Sequence, residues 1–377
     1  TIARNGQVMT ITQGSERLIT EWQDFSIGHD AHVEFVQPGA DSAALNRVVG
    51  GRPSQIFGSL SANGQVALIN QAGIHFASGS RIDAGSLVAS TLDIADADFL
   101  ADRMRFAGGS GAGIVAEGEI HIAEGGYLAL VAPTIEHRGT IEAPAGTVAM
   151  AAAQAVELTL GDTGLVSFKV EKGALDAAID NGGVIQVADG AVIMTAQGMD
   201  ELTRGAVNHT GKIEASGLSA EGGRIVLKSD GHLNIDGKLD VASANGKGGL
   251  ITAEADHIQL GNNANIDATG ATGGGDVLIG GDWQGGDHAE YRVFDDPDAL
   301  HEAITLDMAA GAKIDASATT SGDGGTIVLW RDIDNAASLT DVRGTLLARG
   351  GPSGGDGGLI ETSGHELITE GAVVRAN

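Results

Sequence analysis

The feature that most constrains this chain is a short aliphatic segment that returns through its second half. It reads Gly-Lys-Ile-Glu-Ala-Ser at 211–216 and Gly-Lys-Leu-Asp-Val-Ala-Ser at 237–243, and related copies follow at 265–269, 313–317 and 344–349. Each copy is followed by a glycine pair and a second aliphatic segment, and these pairs begin at residues 222, 248, 274, 324 and 357. The first two intervals are 26 residues long, and the interval of 50 is two such units or one unit with an insertion.

Segments of this kind are typical of short β-strands, because apolar and polar side chains alternate and Gly, Asn or Asp closes each segment. One such turn of chain cannot bury its own apolar face, whereas stacked turns form a continuous narrow core. Glycine pairs suit the corners, where a positive φ or a close approach of two backbones is required. The repeat therefore predicts a coil of parallel strands, and similar segments at 80–84, 119–122, 139–143 and 183–187 extend it into the first half.

The composition agrees with a core that is thin. Glycine supplies 59 of the 377 residues, and aromatic residues make up only 3% of the chain although 42% of it is hydrophobic. A compact domain of this length normally fills its centre with aromatic side chains. Stacked coil turns need only Ile, Val, Leu and Ala, so the composition favours an all-β repeat architecture.

The charge and the cysteine count exclude several functional classes. The net charge of −28, from 22 basic and 50 acidic residues, repels the phosphates of a nucleic acid. The absence of cysteine excludes a disulfide scaffold and metal sites built on thiolates, and it suits a chain exported through an oxidising periplasm. No apolar run approaches the ~20 residues that are needed to cross a bilayer.

Two regions interrupt the repeat. Residues 1–60 carry Trp22, Phe25, Phe35 and Phe57, and we expect them to form a cap over the exposed strand edges at the start of the coil. Residues 61–377 then form the coil itself. An excursion is expected at about 283–307, where Asp296 and Pro297 have the pattern of a helix start.

Acidic residues supply the candidates for chemistry. In the excursion, His288 and His301 lie near several aspartates, either as a metal or acid–base cluster or, as we favour, as a solvated acidic loop. In the repeat, one acid recurs at the same place in successive units and is expected to stack on one outer face in contact with solvent: Glu214, Asp240, Asp267 and Asp315. No phosphate-binding loop and no nucleophile elbow is present in the sequence.

One block of sequence resembles a known family. Residues 54–74 read Ser-Gln-Ile-Phe-Gly-Ser-Leu-Ser-Ala-Asn-Gly-Gln-Val-Ala-Leu-Ile-Asn-Gln-Ala-Gly-Ile. This block resembles the secretion domain of two-partner secretion exoproteins, the filamentous-haemagglutinin-like family, and is most similar to the branch of high-molecular-weight adhesins. Segments 45–48, 89–94, 280–285 and 358–365 match as well, so the resemblance extends over essentially the whole chain.

The resemblance implies a right-handed parallel β-helix with an N-terminal cap, and no enzymatic activity, cofactor or metal. It implies export to the periplasm, recognition there by the POTRA domains of a partner transporter in the outer membrane, and nucleation of β-helix folding outside the cell. The product would be a monomeric cell-surface or secreted adhesin, with a host-cell receptor or a polysaccharide as its further partner.

The resemblance also implies a secretion motif. The hallmark tetrapeptide of the family is Asn-Pro-Asn-Gly, and this chain has Asn70, Gln71, Ala72 and Gly73 in its place. Asn46 and Arg47 belong to a matching segment upstream. Two interpretations of the tetrapeptide stay open, namely a signal read by the transporter and a tight turn that keeps the first coil turns in register.

Two other functions stay open. A carbohydrate-active or carbohydrate-binding β-helix would gather at least three carboxylates and a basic residue in one groove. Capture of a host ligand would use the excursion, where the candidate residues are Trp283, His288, Tyr291, Asp295 and Asp296.

Overall fold

The computed structural model describes residues 1–161, 164–200, 202–217, 222–286, 292–293, 300–336 and 338–377. It divides into two compact units, one of residues 1–186 and 193–205 and one of residues 187–192 and 206–377. In the described residues, the regular structure is β-strand except for the helix α1 (Asp96–Leu100) and an irregular turn at Trp283–Gly286. No helix of the described part is long and apolar enough to span a membrane.

The strands of the first unit and its border are short. Their bounds are β1 (Ile2–Asn5), β2 (Val8–Thr12), β3 (Arg17–Trp22), β4 (His32–Val36), β5 (Ala43–Val48), β6 (Ser54–Ile56), β7 (Ser59–Ala62), β8 (Gln65–Ile69), β9 (Ile74–Phe76), β10 (Arg81–Ala84), β11 (Ser86–Ser90), β12 (Asp93–Ile94), β13 (Met104–Ala107), β14 (Ile114–Ala116), β15 (Glu119–Ile122), β16 (Tyr127–Ala132), β17 (Thr134–His137), β18 (Thr140–Glu142), β19 (Thr147–Ala152), β20 (Ala155–Gly161), β21 (Gly164–Lys172), β22 (Ala178–Asn181), β23 (Val184–Gln186) and β24 (Ala191–Ala196).

The strands of the second unit are of similar length. Their bounds are β25 (Ala206–His209), β26 (Lys212–Glu214), β27 (Arg224–Ser229), β28 (His232–Ile235), β29 (Lys238–Asp240), β30 (Leu250–Glu254), β31 (His257–Leu260), β32 (Asn265–Asp267), β33 (Asp276–Ile279), β34 (Thr305–Met308), β35 (Lys313–Asp315), β36 (Thr326–Leu329), β37 (Leu339–Val342), β38 (Thr345–Leu347), β39 (Leu359–Thr362), β40 (Glu366–Ile368) and β41 (Val373–Arg375).

In the first unit, three sheets of parallel strands surround the core. Their orders are β2-β4-β7-β10-β15-β18-β23, β3-β5-β8-β11-β16-β19 and β6-β9-β14-β17-β22. Neighbours in each sheet are parallel strands that lie one turn of chain apart, as the pairs β10–β15, β11–β16 and β14–β17 show. This is the arrangement of a parallel β-helix.

The second unit repeats this arrangement with the orders β26-β29-β32-β35-β38-β41, β27-β30-β33-β36-β39 and β25-β28-β31-β34-β37-β40. The aliphatic centres of the sequence repeat stack in register and are fully buried: Ile213, Leu239, Ile266, Ile314 and Leu346. The predicted coil of parallel strands is confirmed here rung by rung.

The glycine pairs lie immediately before the strands of the second sheet of this unit. A Cβ added at Gly249 would lie 2.0 Å from the carbonyl oxygen of Gly223, and one at Gly275 would lie 2.2 Å from that of Gly249. The φ of Gly249 and of Gly275 is not in the left-handed region. Of the two reasons for glycine at a corner, close approach of stacked backbones is the one that applies.

A four-stranded antiparallel sheet, β12-β13-β20-β21, is an addition that the repeat did not predict. It covers the outer face of the second sheet of the first unit. Phe99 of α1, Phe106 and Leu158 belong to one buried cluster with Val88 and Val131 of that sheet. Several of the few aromatic residues are therefore used outside the coil, to bury a second apolar face.

The first residues of the chain close one edge of a sheet. Strand β1 is antiparallel to β2, which itself pairs in parallel with β4. Trp22 and Phe25 meet edge to face with ring centroids 5.3 Å apart, and Phe25 is buried. That residues 1–60 act as the cap stays a prediction.

Candidate functional site

The tetrapeptide 70–73 forms a turn directly after β8. The amide of Gly73 donates to the carbonyl oxygen of Asn70 at 3.0 Å, and the amide of Ala72 donates to Asn70 Oδ1 at 2.9 Å. Gly73 has a φ of +117°, a backbone conformation that residues other than glycine rarely adopt. The residue types retained from the family hallmark, Asn first and Gly last, are the two that the geometry of the turn requires.

The side chain of Asn70 is fixed inside the fold rather than presented to solvent. It is 1% exposed, and its Nδ2 donates to the carbonyl oxygen of Arg52 at 2.9 Å and to Ser54 Oγ at 3.0 Å. Ser54 is itself fully buried at the start of β6. Asn70 therefore joins the end of one strand to the beginning of another strand in a different sheet.

Gln71 occupies the outer position of the turn. Its side chain is exposed, while its carbonyl oxygen accepts a hydrogen bond of 2.6 Å from Ser110 Oγ. The turn is thus held on both sides, by Asn70 and by Ser110. Of the four residues, Gln71 alone is exposed, and Ala72 is half-buried.

Arg47 lies beside this turn and is held by two carboxylates. Its Nε donates to Asp93 Oδ1 at 2.9 Å, one terminal nitrogen lies 2.7 Å from Asp96 Oδ1, and the other donates to the carbonyl oxygen of Ile94 at 2.6 Å. Burial lowers the pKa of Arg47, but the hydrogen bonds to Asp93 and Asp96 and the negative charges of these two carboxylates together raise it, so the net shift is upward. The guanidinium is a permanent charge that fastens β5 to the segment leading into α1.

These residues border one small depression of about 260 Å³. Its lining consists of Arg47, Val48, Val49, Gly51, Ile69, Asn70, Gln71, Ala72 and Asp93. Four of the six predicted motif residues therefore come together here, and Gly73 follows in the same turn. Sequence reasoning missed Asp93 and Asp96 as site residues, although carboxylates close to one another in the sequence are the groups with which an arginine forms its strongest hydrogen bonds.

Asn46 does not belong to the depression. Adjacent residues of a strand point to opposite faces, so Asn46 points into the coil while Arg47 points outward. Asn46 is fully buried, and its Oδ1 accepts hydrogen bonds from Thr20 Oγ1 at 2.9 Å and from Trp22 Nε1 at 3.0 Å. Its place is to hold β3 against β5.

In the excursion, Trp283 is the candidate residue that can be located. It is half-buried and packs with Leu278, Leu300, Val328 and Trp330. The other candidates, His288, Tyr291, Asp295 and Asp296, and the helix start expected at Asp296 lie outside the described residues. Trp283 thus contributes to packing over the second sheet of its unit.

His301, the described histidine of the expected acidic cluster, bonds to the coil. Its Nε2 lies 2.7 Å from Asp256 Oδ1, and its backbone amide donates to Glu254 Oε2 at 2.8 Å. In the part of the chain that the structure describes, no group of three or more His, Asp or Glu residues has the arrangement of a metal site.

The repeated acids stack as predicted but do not face solvent freely. Glu214, Asp240, Asp267 and Asp315 are in register on successive strands of one sheet. Asp240 and Asp315 are buried, so the expectation of a solvent-facing row was wrong for these two positions. Their carboxylates accept from the backbone two residues ahead, and each also contacts the lysine two residues before it. These acids close the corners of the coil.

The carbohydrate-active alternative predicted a groove with at least three carboxylates. A depression of about 630 Å³ on the first unit has Glu34 and Asp83 in its lining together with His121. A depression of about 490 Å³ on the second unit has Asp307 alone as a carboxylate. Neither groove has the predicted set of acids.

Comparison with known proteins identifies a family and a solved structure with the same fold. The family model of the TPS secretion domain matches residues 1–241. The crystal structure of the HMW1 secretion domain from Haemophilus influenzae superposes with a TM-score of 0.84 at 26% sequence identity, covering 100% of this chain and 95% of that one. This similarity confirms the parallel β-helix.

Curated relatives are also found. The Heme/hemopexin-binding protein of Haemophilus influenzae strain Rd is 30% identical over 241 residues, which are 60% of this chain and 25% of that protein. A second Heme/hemopexin-binding protein of Haemophilus influenzae is 44% identical over 86 residues, 23% of this chain and 9% of its own length. The chain therefore spans a quarter or less of the relatives that it matches.

Proposed function

The chain belongs to the family of TPS secretion domains, the two-partner secretion domains of adhesin-like exoproteins, and from this premise we propose that it directs a larger bacterial exoprotein to the cell surface or the medium. Members of this family engage a transporter of the outer membrane. We propose further that the chain reaches that transporter through the periplasm, is recognised by its POTRA domains, and acts as a monomer without catalytic activity.

The observation that carries the more detailed proposal is the burial of Asn70. Its side chain makes three hydrogen bonds, to Ala72 within the turn, to Arg52 before β6 and to Ser54 at the start of β6, and it is 1% exposed. A group placed in this way stabilises the folded turn and offers nothing to a partner. The role proposed for Asn70 and Gly73 is to close the first coil turns once the chain has emerged.

In this proposal the transporter recognises other side chains of the same region. The Gln71 side chain and the apolar side chain of Val49, which is 48% exposed, border the depression and make no contribution to the core. Both side chains are free to contact the transporter, because neither is needed to fill the core. The tetrapeptide would thus combine the two interpretations, with different residues serving the turn and the signal.

Binding to the transporter tests this division. Purified periplasmic domains of a two-partner transporter are immobilised, and the full chain is offered as wild type and as Gln71→Ala, with Gln7→Ala as a matched control. Gln7 is also an exposed glutamine in a turn, between β1 and β2. We expect Gln71→Ala to weaken binding several-fold at an unchanged unfolding midpoint and Gln7→Ala to leave binding unchanged. Equal binding by all three chains would remove Gln71 from the proposed signal.

A second function is proposed for the longer exoprotein, namely capture of a host haem carrier. What favours it is that the two curated relatives are both named Heme/hemopexin-binding protein. If the excursion takes part, the full chain binds haem or hemopexin, and replacing residues 287–299 by a short Gly-Ser linker abolishes that binding. Binding that survives the replacement would dismiss the excursion as the capture site.

A further inference from the structure

The second unit carries a groove in which three side-chain amides, those of Asn208, Asn234 and Gln259, form no hydrogen bond to the described part of the chain. This groove, called the amide groove below, has a volume of about 490 Å³ and is lined by Asn208, His232, Leu233, Asn234, His257, Ile258, Gln259, Thr305 and Asp307. Its volume lies within the range of ligand-binding clefts. Leu233 and Ile258 point inward and are 1% exposed, so the surface of the groove is polar.

The amides form a column along the outer face of one sheet. Asn208, Asn234 and Gln259 are register partners on three successive strands, and Asp307 continues the column. Stacked strands lie about 4.8 Å apart, so this column offers one polar group per rung at a spacing close to the length of a pyranose unit. A second column runs beside it through His232, His257 and Thr305.

The three amides make no hydrogen bond to any part of the chain that the structure describes. They are half-buried or exposed and therefore accessible from solvent. Each side chain keeps two N–H donors and an acceptor oxygen for a ligand. In the neighbouring column, the rings of His232 and His257 stack with centroids 4.9 Å apart, and His257 Nδ1 lies 2.9 Å from Thr305 Oγ1. These contacts give the groove a firm wall beside a free column of amides.

Charge decides between classes of occupant. The chain has a net charge of −28, which disfavours an acidic polymer, and the groove contains no arginine or lysine to offset it. Asp341, the next residue of the column, is already paired with Arg343 at 2.8 Å. Free amides with an imidazole wall match vicinal hydroxyl groups, whereas a bound peptide would need apolar pockets or an unpaired strand edge.

We propose that the amide groove binds a neutral oligosaccharide, laid along the stacking direction of the strands. Each rung then contacts about one sugar unit, with Asn208, Asn234 and Gln259 hydrogen-bonded to its hydroxyls. This inference goes beyond the proposed secretion function and does not depend on it. It assigns binding and no hydrolysis, since Asp307 is the one carboxylate in the lining of the groove. The binding groups are therefore amides and not the three carboxylates that the sequence analysis expected of a carbohydrate site.

Calorimetric titration of the full chain tests the proposal. The probes are neutral hexasaccharides of glucose, galactose, mannose and N-acetylglucosamine, with a hexasaccharide of galacturonic acid as the acidic comparison. We expect a neutral member to bind and the double variant Asn234→Ala/Gln259→Ala to lose about tenfold or more in affinity, because two polar contacts to the sugar are lost together. Both substituted residues are exposed, and an unchanged circular dichroism spectrum verifies that the variant folds.

Asn265→Ala is the matched control, since Asn265 is an exposed outward asparagine on a different sheet of the same unit. Its affinity should equal that of the wild type. The proposal is overturned if no neutral hexasaccharide binds at about millimolar concentration, if the double variant binds as the wild type does, or if the acidic hexasaccharide binds equally well. Selection of an extended peptide by the groove in place of a sugar would also overturn it.

Discussion

Replacing Asn70 by alanine is the substitution whose cost follows most directly from the structure. Three hydrogen bonds are lost: from Nδ2 to the carbonyl oxygen of Arg52, from Nδ2 to Ser54 Oγ, and from the amide of Ala72 to Oδ1. Each is worth about 0.5–1.5 kcal/mol, and an unsatisfied buried group costs about 1–3 kcal/mol. Because the Ser54 hydroxyl is fully buried and water does not replace its partner, we expect Asn70→Ala to lower the free energy of unfolding by about 3 kcal/mol.

Urea unfolding of the full chain, followed by circular dichroism, measures this loss. Gln71→Ala is the matched control in the same turn, and its exposed side chain should change the free energy of unfolding by less than about 0.5 kcal/mol. A refolding experiment adds a kinetic reading, since a turn that nucleates the coil should slow refolding when it is weakened. A loss below about 1 kcal/mol for Asn70→Ala would refute the reasoning, because the buried hydrogen bonds would then contribute nothing that water does not restore.

Three further outcomes are expected. Arg47→Met should lower the free energy of unfolding by about 1–2 kcal/mol, because Asp93 and Asp96 lose their shared cation, and a cost below about 0.3 kcal/mol in urea unfolding would contradict this. Gly275→Ala should destabilise by about 2–3 kcal/mol, since its Cβ would lie 2.2 Å from a carbonyl oxygen, whereas Gly273→Ala, with its nearest atom at 3.5 Å, should be close to neutral in the same assay. Burial lowers the pKa of His137 to about 4, so between about pH 6.5 and pH 4 the unfolded chain binds a proton at this residue and the folded chain does not. The free energy of unfolding should therefore be about 2 kcal/mol lower at about pH 5 than at neutral pH. An NMR titration giving His137 a pKa above 6 would exclude this.

The coil could be predicted from the sequence because its signal is local and repeated. Ile213, Leu239 and Ile266 each lie at the centre of a short segment of alternating apolar and polar residues. Because these segments recur at a constant interval, stacking them in parallel buries all three side chains in one core. The glycine pairs carry similar information, because backbones that approach to van der Waals contact exclude a side chain at each turn.

The antiparallel sheet could not be predicted in this way. Its strands β13 and β20 pair residues such as Phe106 and Val156, which are far apart in the chain and belong to no repeat. Their alternation resembles that of any other strand, and nothing local indicates that they leave the coil. Isolated phenylalanines were the available signal, since a coil filled by small aliphatic residues has little room for them.

The candidate site shows a similar limit. Asn46 and Arg47 are adjacent in the sequence and were therefore predicted to belong to one motif. Because successive side chains of a strand point to opposite faces, Asn46 points inward and bonds to Trp22, whereas Arg47 points outward and bonds to Asp93. The turn residues Asn70 and Gly73 were recognisable from their types, because few residues suit a turn of this geometry. That the Asn70 side chain is buried depends on Ser54 and Arg52, whose position follows from the packed coil alone.

The most direct test of the central claim is delivery of the full chain by a two-partner transporter. In cells that co-express the transporter, the account predicts that the chain reaches the surface or the medium, and that it does not when the transporter is omitted or when residues 1–90 are deleted. An equal amount of chain outside the cell without the transporter, or after deletion of residues 1–90, would contradict the assignment of this chain as a secretion domain.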